Sequence, residues 1–312
     1  MIKKTLYFGN PAYLSVKNNQ LVIRLPEVEK NKTLPESFKA EAVKTIPIED
    51  VGVMVLDNRQ ITLTHGLMEK LLENNCALIT CNSKHMPYGL MLPLVGNTTQ
   101  TERYRHQIEA SLPLKKQLWQ QTVMAKINNQ AHLLSNSTGV VVKNMRKWQN
   151  DVKSGDPDNY EARAAVYYWA NLFPNIEGFV REREGMLPNS LLNYGYAVLR
   201  AVVARSLVAS GLLPSLGIHH RNKYNAYCLA DDIMEPYRPF VDKLVIEIMN
   251  SSSDISRISK EHKSSLLSIP VLDVIINNRR SPLMIAVQQT TASLAQCFMG
   301  EIRKIKYPSF EQ

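Results

Sequence analysis

The chain has 312 residues, 45% of them hydrophobic and 21% charged, a balance typical of soluble globular proteins and a length sufficient for two domains with a real core. No apolar run reaches the roughly 20 residues that span a bilayer, and the basic start Met1-Ile2-Lys3-Lys4 has no apolar signal region behind it, so a cytoplasmic protein with no membrane attachment is expected. The net charge of +9 is unevenly placed: residues 1–95 hold 11 basic and 9 acidic side chains, and residues 96–312 hold 26 and 19, a surplus that a fold could gather into a polyanion site.

The first 95 residues read as mostly strand. Thr5-Leu6-Tyr7-Phe8 ends at the turn Gly9-Asn10-Pro11, and Ala12 to Lys17 alternates up to Asn18-Asn19, residues suited to a tight hairpin, before residues 20–25 return. Residues 26–40 are polar and read as a loop. Strands are predicted at 43–48 and 51–56, separated by Glu49-Asp50, and at 77–80 and 88–92. A short helix over 64–73 places Leu67, Leu71 and Leu72 on one face.

After Pro93 the period changes to that of helices. Leu114, Leu118, Val123 and Ile127 form the stripe of a long helix. Further helices are predicted over 162–172, over 191–207 with Ala197, Ala201 and Ala204 allowing close contact, over Val241, Leu244, Val245 and Ile248, and over 284–298. Residues 251–268 read as the loosest stretch. The expected architecture is α+β: an N-terminal β-sandwich-like domain over 1–95 and a larger all-α domain over 96–312. Cys76, Cys81, Cys228 and Cys297 have no zinc-site spacing and are read as reduced thiols.

Three segments carry candidate chemistry. In Asp158-Asn159-Tyr160-Glu161, Asp158 or Asn159 can cap a helix whose first turn holds Glu161, a position that the helix dipole alone would favour. In Gly211-Leu212-Leu213-Pro214-Ser215-Leu216-Gly217-Ile218-His219-His220-Arg221, adjacent histidines cannot both point the same way, so at most one is a ligand. In Ala230-Asp231-Asp232-Ile233-Met234-Glu235-Pro236-Tyr237-Arg238-Pro239, helix spacing puts Asp232 and Glu235 on one face; such a pair repels unless a cation lies near, while the plainer reading is an acidic turn neutralising Arg238. Carboxylates with one imidazole suit Mg²⁺ or Mn²⁺. The chain has no Walker-type phosphate loop, dinucleotide fingerprint or G-x-S-x-G nucleophile. Metal-assisted phosphoryl transfer in a basic domain is the coherent option.

These segments also carry a family resemblance, with Tyr7-Phe8-Gly9, Ala12-Tyr13-Leu14, Ile61-Thr62-Leu63-Thr64 and Leu191-Leu192-Asn193-Tyr194-Gly195-Tyr196. Over nearly its whole length the chain resembles the CRISPR-associated integrase family called Cas one, most closely its type II branch. The likeness is sharpest at Leu216-Gly217-Ile218-His219-His220 and from Leu229 to Pro239. It implies a β domain followed by an α-helical catalytic domain. It implies a divalent metal, Mg²⁺ or Mn²⁺, on Glu161, His220 and Glu235, with Asp232 at a further acidic position nearby; a register shifted by one would substitute His219 for His220. It implies endonuclease activity and the insertion of foreign DNA into a CRISPR array by phosphodiester transesterification. It further implies double-stranded DNA as substrate, a homodimer, and a small partner protein called Cas two. Arg163, Arg221 and Arg238 are the cations nearest the site in sequence and the candidates for holding the DNA backbone, and the β domain is the candidate for dimerisation. The competing readings are a non-catalytic nucleic-acid scaffold and a metal phosphodiesterase that joins no strands.

Overall fold

The computed structural model describes residues 2–182, 185–251 and 257–310. The chain divides into two compact units, Met1–Gly96 and Asn97–Gln312.

The first unit is built from β1 (Lys4–Phe8), β2 (Ala12–Lys17), β3 (Gln20–Arg24), α1 (Pro26–Glu29), α2 (Glu36–Ala42), β4 (Lys44–Pro47), β5 (Val51–Leu56), β6 (Ile61–Leu63), α3 (His65–Glu73), β7 (Ala77–Cys81) and β8 (Pro87–Met91). Two four-stranded sheets form, in the orders β1-β5-β7-β8 and β4-β3-β2-β6. The expected hairpin joins β2 to β3, with Asn18 and Asn19 at φ 50° and 56°, the left-handed values that a two-residue turn requires. Both sheets are mixed: β5 runs parallel to β1 and β7, and β6 parallel to β2. Leu14, Leu21, Val51, Met54 and Leu78 from the strands pack with Leu67 and Leu71 of α3 in one core. Residues 26–40 differ from the expected loop, since α1 and α2 lie within or overlap them. Pro26 at the first turn of α1 and Glu36 in the first turn of α2 are helix-start signals outweighed by the polar composition.

The second unit is helical: α4 (Gln100–Glu109), α5 (Leu112–Thr138), α6 (Lys143–Asp151), α7 (Tyr160–Leu172), α8 (Asn189–Ala209), α9 (Cys228–Met234), α10 (Arg238–Ser251), α11 (Lys260–Leu266) and α12 (Leu283–Phe298). It is not purely α, because β9 (Asp273–Ile276) and β10 (Arg279–Pro282) form a hairpin turning through Asn277 and Asn278. Those two asparagines at positive φ were the readable sign of it. The stretch expected to be loosest contains α11, closed by a capping box between Ser259 and His262; its residues 252–256 lie outside the described residues. Helix α8 is the buried centre, and Gly195 lets α10 approach so closely that an added Cβ would lie 2.5 Å from Val241. Among the described residues, no helix is long and apolar enough to cross a membrane.

Candidate active site

Helix α5 forms one wall of the site. Trp119, Thr122, Lys126 and Asn129 recur at helical spacing, all buried. The side chain of Lys126 is 8% exposed, and its ammonium contacts Oε1 of Glu161 and lies 2.6 Å from Oε2 of Glu235. A lysine this deep is tolerated only beside opposite charge. Burial opposes its charge, yet the carboxylates of Glu235 and Glu161 hold its pKa above the ordinary lysine value.

Glu161 reaches this point because the start of α7 is fixed from below. Gly155, Asp156 and Asn159 are all left-handed, at φ 81°, 50° and 54°, and the Gly155 amide donates to the Lys116 carbonyl of α5 at 2.9 Å. The amides of Tyr160 and Glu161 both donate to the Asp156 carboxylate at 2.9 Å. Asp156 thus does the capping expected of Asp158 or Asn159; Asn159 holds the N-cap position, but its side chain makes no cap hydrogen bond.

Glu235 sits where α9 passes into a single 3₁₀ turn, Glu235–Tyr237, before α10. Pro236 has no N–H to give, and its carbonyl accepts from Asn129 at 2.7 Å, which ties this turn to α5. Burial pushes the Glu235 carboxyl up, but Arg238, 3.1 Å away, and Lys126 outweigh it and hold the pKa below the usual value. Oε2 of Glu235 is buried, with the ammonium of Lys126 as its neighbour.

The histidine loop is organised by Asp232, which is fully buried. Its carboxylate accepts from the amides of His219 and His220 at 3.0 and 3.2 Å and pairs with Nδ1 of the His220 ring. That bond raises the His220 pKa and leaves Nε2 as the outward nitrogen of a ring whose side chain is 46% exposed. His219 instead lies flat on Trp119, with ring centroids 4.0 Å apart, and burial lowers its pKa. The pair does point two ways, as the spacing required. Gly217 makes the loop possible, because an added Cβ would lie 2.8 Å from Oδ2 of Asp232.

Asp232 and Glu235, predicted to share a face, are therefore turned to different partners: Asp232 to the histidines, Glu235 to Lys126 and Arg238. Asp231 pairs with Arg200 at 2.7 Å. Of the three arginines singled out, Arg163 and Arg221 are exposed. Arg238 is committed to Glu235 and to the face of Tyr196, 4.9 Å from the ring centroid.

The structure brings Glu161 and Glu235 onto one ammonium; among the described residues, no three acidic, histidine or cysteine side chains are gathered closely enough to form a metal cluster. The donor set still fits a hard divalent cation. Two carboxylates converge on one buried positive charge. The nearby imidazole is oriented by a carboxylate, as in metal sites generally. Lys126 and Asn129 escaped the sequence reading because a polar residue in a helix ordinarily marks its solvated face, and Trp119 because a helix aromatic ordinarily belongs to the core.

Residues 6–268 match the family model described as CRISPR associated protein Cas1. The chain is 37% identical over 295 residues to the CRISPR-associated endonuclease Cas1 of Neisseria meningitidis serogroup C, covering 94% of this chain and 91% of that one. It is 31% identical over 250 residues to a CRISPR-associated endonuclease Cas1 of Saccharolobus solfataricus, covering 77% and 73%. The fold is shared with a casposase bound to integration product, at TM-score 0.72 and 18% identity over 97% of this chain and 92% of that one. It is also shared with 36% of a chain from a Cas6-RT-Cas1–Cas2 complex, at TM-score 0.71 and 19% identity over 97% of this chain. The chain belongs to the CRISPR-associated Cas1 family, a family of endonucleases.

Proposed function

We propose that this enzyme is a divalent-metal-dependent DNA integrase and endonuclease of CRISPR adaptation, with Glu161, Glu235 and His220 Nε2 as its metal ligands. The observation that carries this reading is the convergence of two carboxylates from distant helices on one positive charge. A bound Mg²⁺ or Mn²⁺ would supply activation of the attacking hydroxyl and charge stabilisation at phosphorus. The chain's own residues do the rest. Asp232 holds the His220 ring so that Nε2 faces outward, Asp156 fixes the helix turn that presents Glu161, and Arg238 keeps Glu235 ionised. The attacking oxygen would be that of the DNA terminus in strand joining and that of water in cleavage.

Exposed Arg163 and Arg221 hold the phosphate backbone without reading sequence. Double-stranded DNA and a small Cas2 partner are the expected associates. The neighbouring folds of a casposase bound to integration product and of a Cas1–Cas2 complex support this. A homodimer through the first unit is part of the same reading. The test is strand joining of a short duplex into a repeat-bearing plasmid, with Mg²⁺, with Mn²⁺ and with chelator. Joined product is expected with either metal and none with chelator; cleavage without joining would favour a plain phosphodiesterase, and DNA binding with neither reaction a scaffold.

A further inference from the structure

The Lys126 ammonium lies between Glu161 and Glu235, in contact with one oxygen of each. It projects from the middle of α5, buried, on a helix tied to the 3₁₀ turn carrying Glu235 through Asn129 and to the start of α7 through Lys116. Two carboxylates held this close without a countercharge repel, and one would turn away or take up a proton. The ammonium prevents this, but it sets only one positive charge against two carboxylates. A doubly charged ion that accepts oxygen ligands from several directions would balance both.

Resting on the metal-site reading above, we propose that Lys126 is a positioning residue: in the metal-free protein its ammonium keeps Glu161 and Glu235 converged, and a divalent cation must displace it to bind. The site is thereby preformed before DNA and metal arrive, at the expense of metal affinity. The flexible four-carbon stem of lysine lets the ammonium leave without moving α5.

The test uses the full-length chain, Mn²⁺ as the probe, and the variants Lys126→Met and Glu235→Gln. By calorimetry, Lys126→Met is expected to bind Mn²⁺ about tenfold more tightly than wild type, because a competing charge is gone. Its metal-free melting temperature should fall and its rise on adding Mn²⁺ should exceed that of wild type. A structural lysine alone would lower the melting temperature without tightening Mn²⁺. Independently of any variant, reductive methylation of wild-type Lys126, read by mass spectrometry, should be several-fold faster at saturating Mn²⁺, since the ammonium is released. Unchanged Mn²⁺ affinity in Lys126→Met, or labelling of Lys126 indifferent to Mn²⁺, overturns the proposal. If wild type and Glu235→Gln bind Mn²⁺ alike, the metal site itself is misassigned and the proposal falls with it.

Discussion

Asp232 concentrates more of the site's geometry than any residue the cation would touch. It receives two backbone amides and one imidazole, and no water reaches it. Asp232→Asn keeps the shape but turns one acceptor oxygen into a donor and removes the charge, so it should cost on the order of 2 kcal/mol of stability. It should also weaken Mn²⁺ binding about 10- to 100-fold, as loss of an orienting partner of a metal-bound histidine does. Thermal melting and calorimetry check both. Gly217→Ala should act on the same loop, because its methyl group would press on the Asp232 carboxylate and the His220 carbonyl. At this scale, the sequence alone carried the acids and histidines as residue types with suggestive spacing. It did not carry Asp232's role, since two carboxylates three apart look equivalent until each has a partner.

Among elements, α5 shows what periodicity can and cannot reveal. Its apolar stripe is buried at Leu118, Val123 and Ile127 and half-buried at Leu114, and Trp119, Thr122, Lys126 and Asn129, which build the site, lie within that same buried arc. The stripe marks the arc as buried, but nothing local announces that Glu161 and Glu235 will meet the polar residues in it. The packing of α8 against α10 hides a second polar cluster. Asp242 accepts hydrogen bonds from Tyr168 and Tyr196, and Arg181 and Arg238 face the Tyr196 ring. Burial raises the Asp242 pKa from 3.8 to about 6, against the hydrogen bonds of Tyr196 and Tyr168. The folded protein therefore holds a proton there that the unfolded chain has lost. The associated stability is present below the ordinary pKa and is lost as pH rises through about 6, an effect on the order of 3 kcal/mol. Urea unfolding between pH 4 and 7 should show wild type losing this stability relative to Asp242→Asn; parallel pH profiles for the two proteins would contradict it.

For the molecule as a whole, the uneven charge and the exposed apolar residues divide the work. The basic surplus of residues 96–312 should make DNA binding steeply salt-dependent. Affinity that stays flat from 50 to about 200 mM salt would contradict a phosphate-dominated interface. The first unit is nearly neutral, and its edge strand β8 and the residues after it expose Tyr88 and Leu94 at 85% and 90%. Such an edge invites pairing with another chain. For the homodimer proposed through this unit, Tyr88→Glu with Leu94→Glu is expected to give monomer in light scattering without unfolding; an unchanged dimer would contradict a role for this edge. The strands of the first unit, the β2–β3 hairpin and the helical second unit were legible from periodicity and turn residues; the strand order and its parallel pairs were not, because they depend on contacts between distant segments. The β9–β10 hairpin was overlooked because four-residue strands carry too little alternation to stand out against helices.

On the proposed mechanism, Glu235 serves the chemistry and not only the ion pairs with Lys126 and Arg238. The most direct measurement is strand joining by Glu235→Gln in Mn²⁺, with DNA affinity and melting temperature recorded on the same preparation. Joining is expected to fall by at least about 100-fold, the scale of losing several kcal/mol of metal-assisted stabilisation, while the protein stays folded and binds DNA as tightly as wild type. A folded Glu235→Gln protein that joins DNA at the wild-type rate would contradict it.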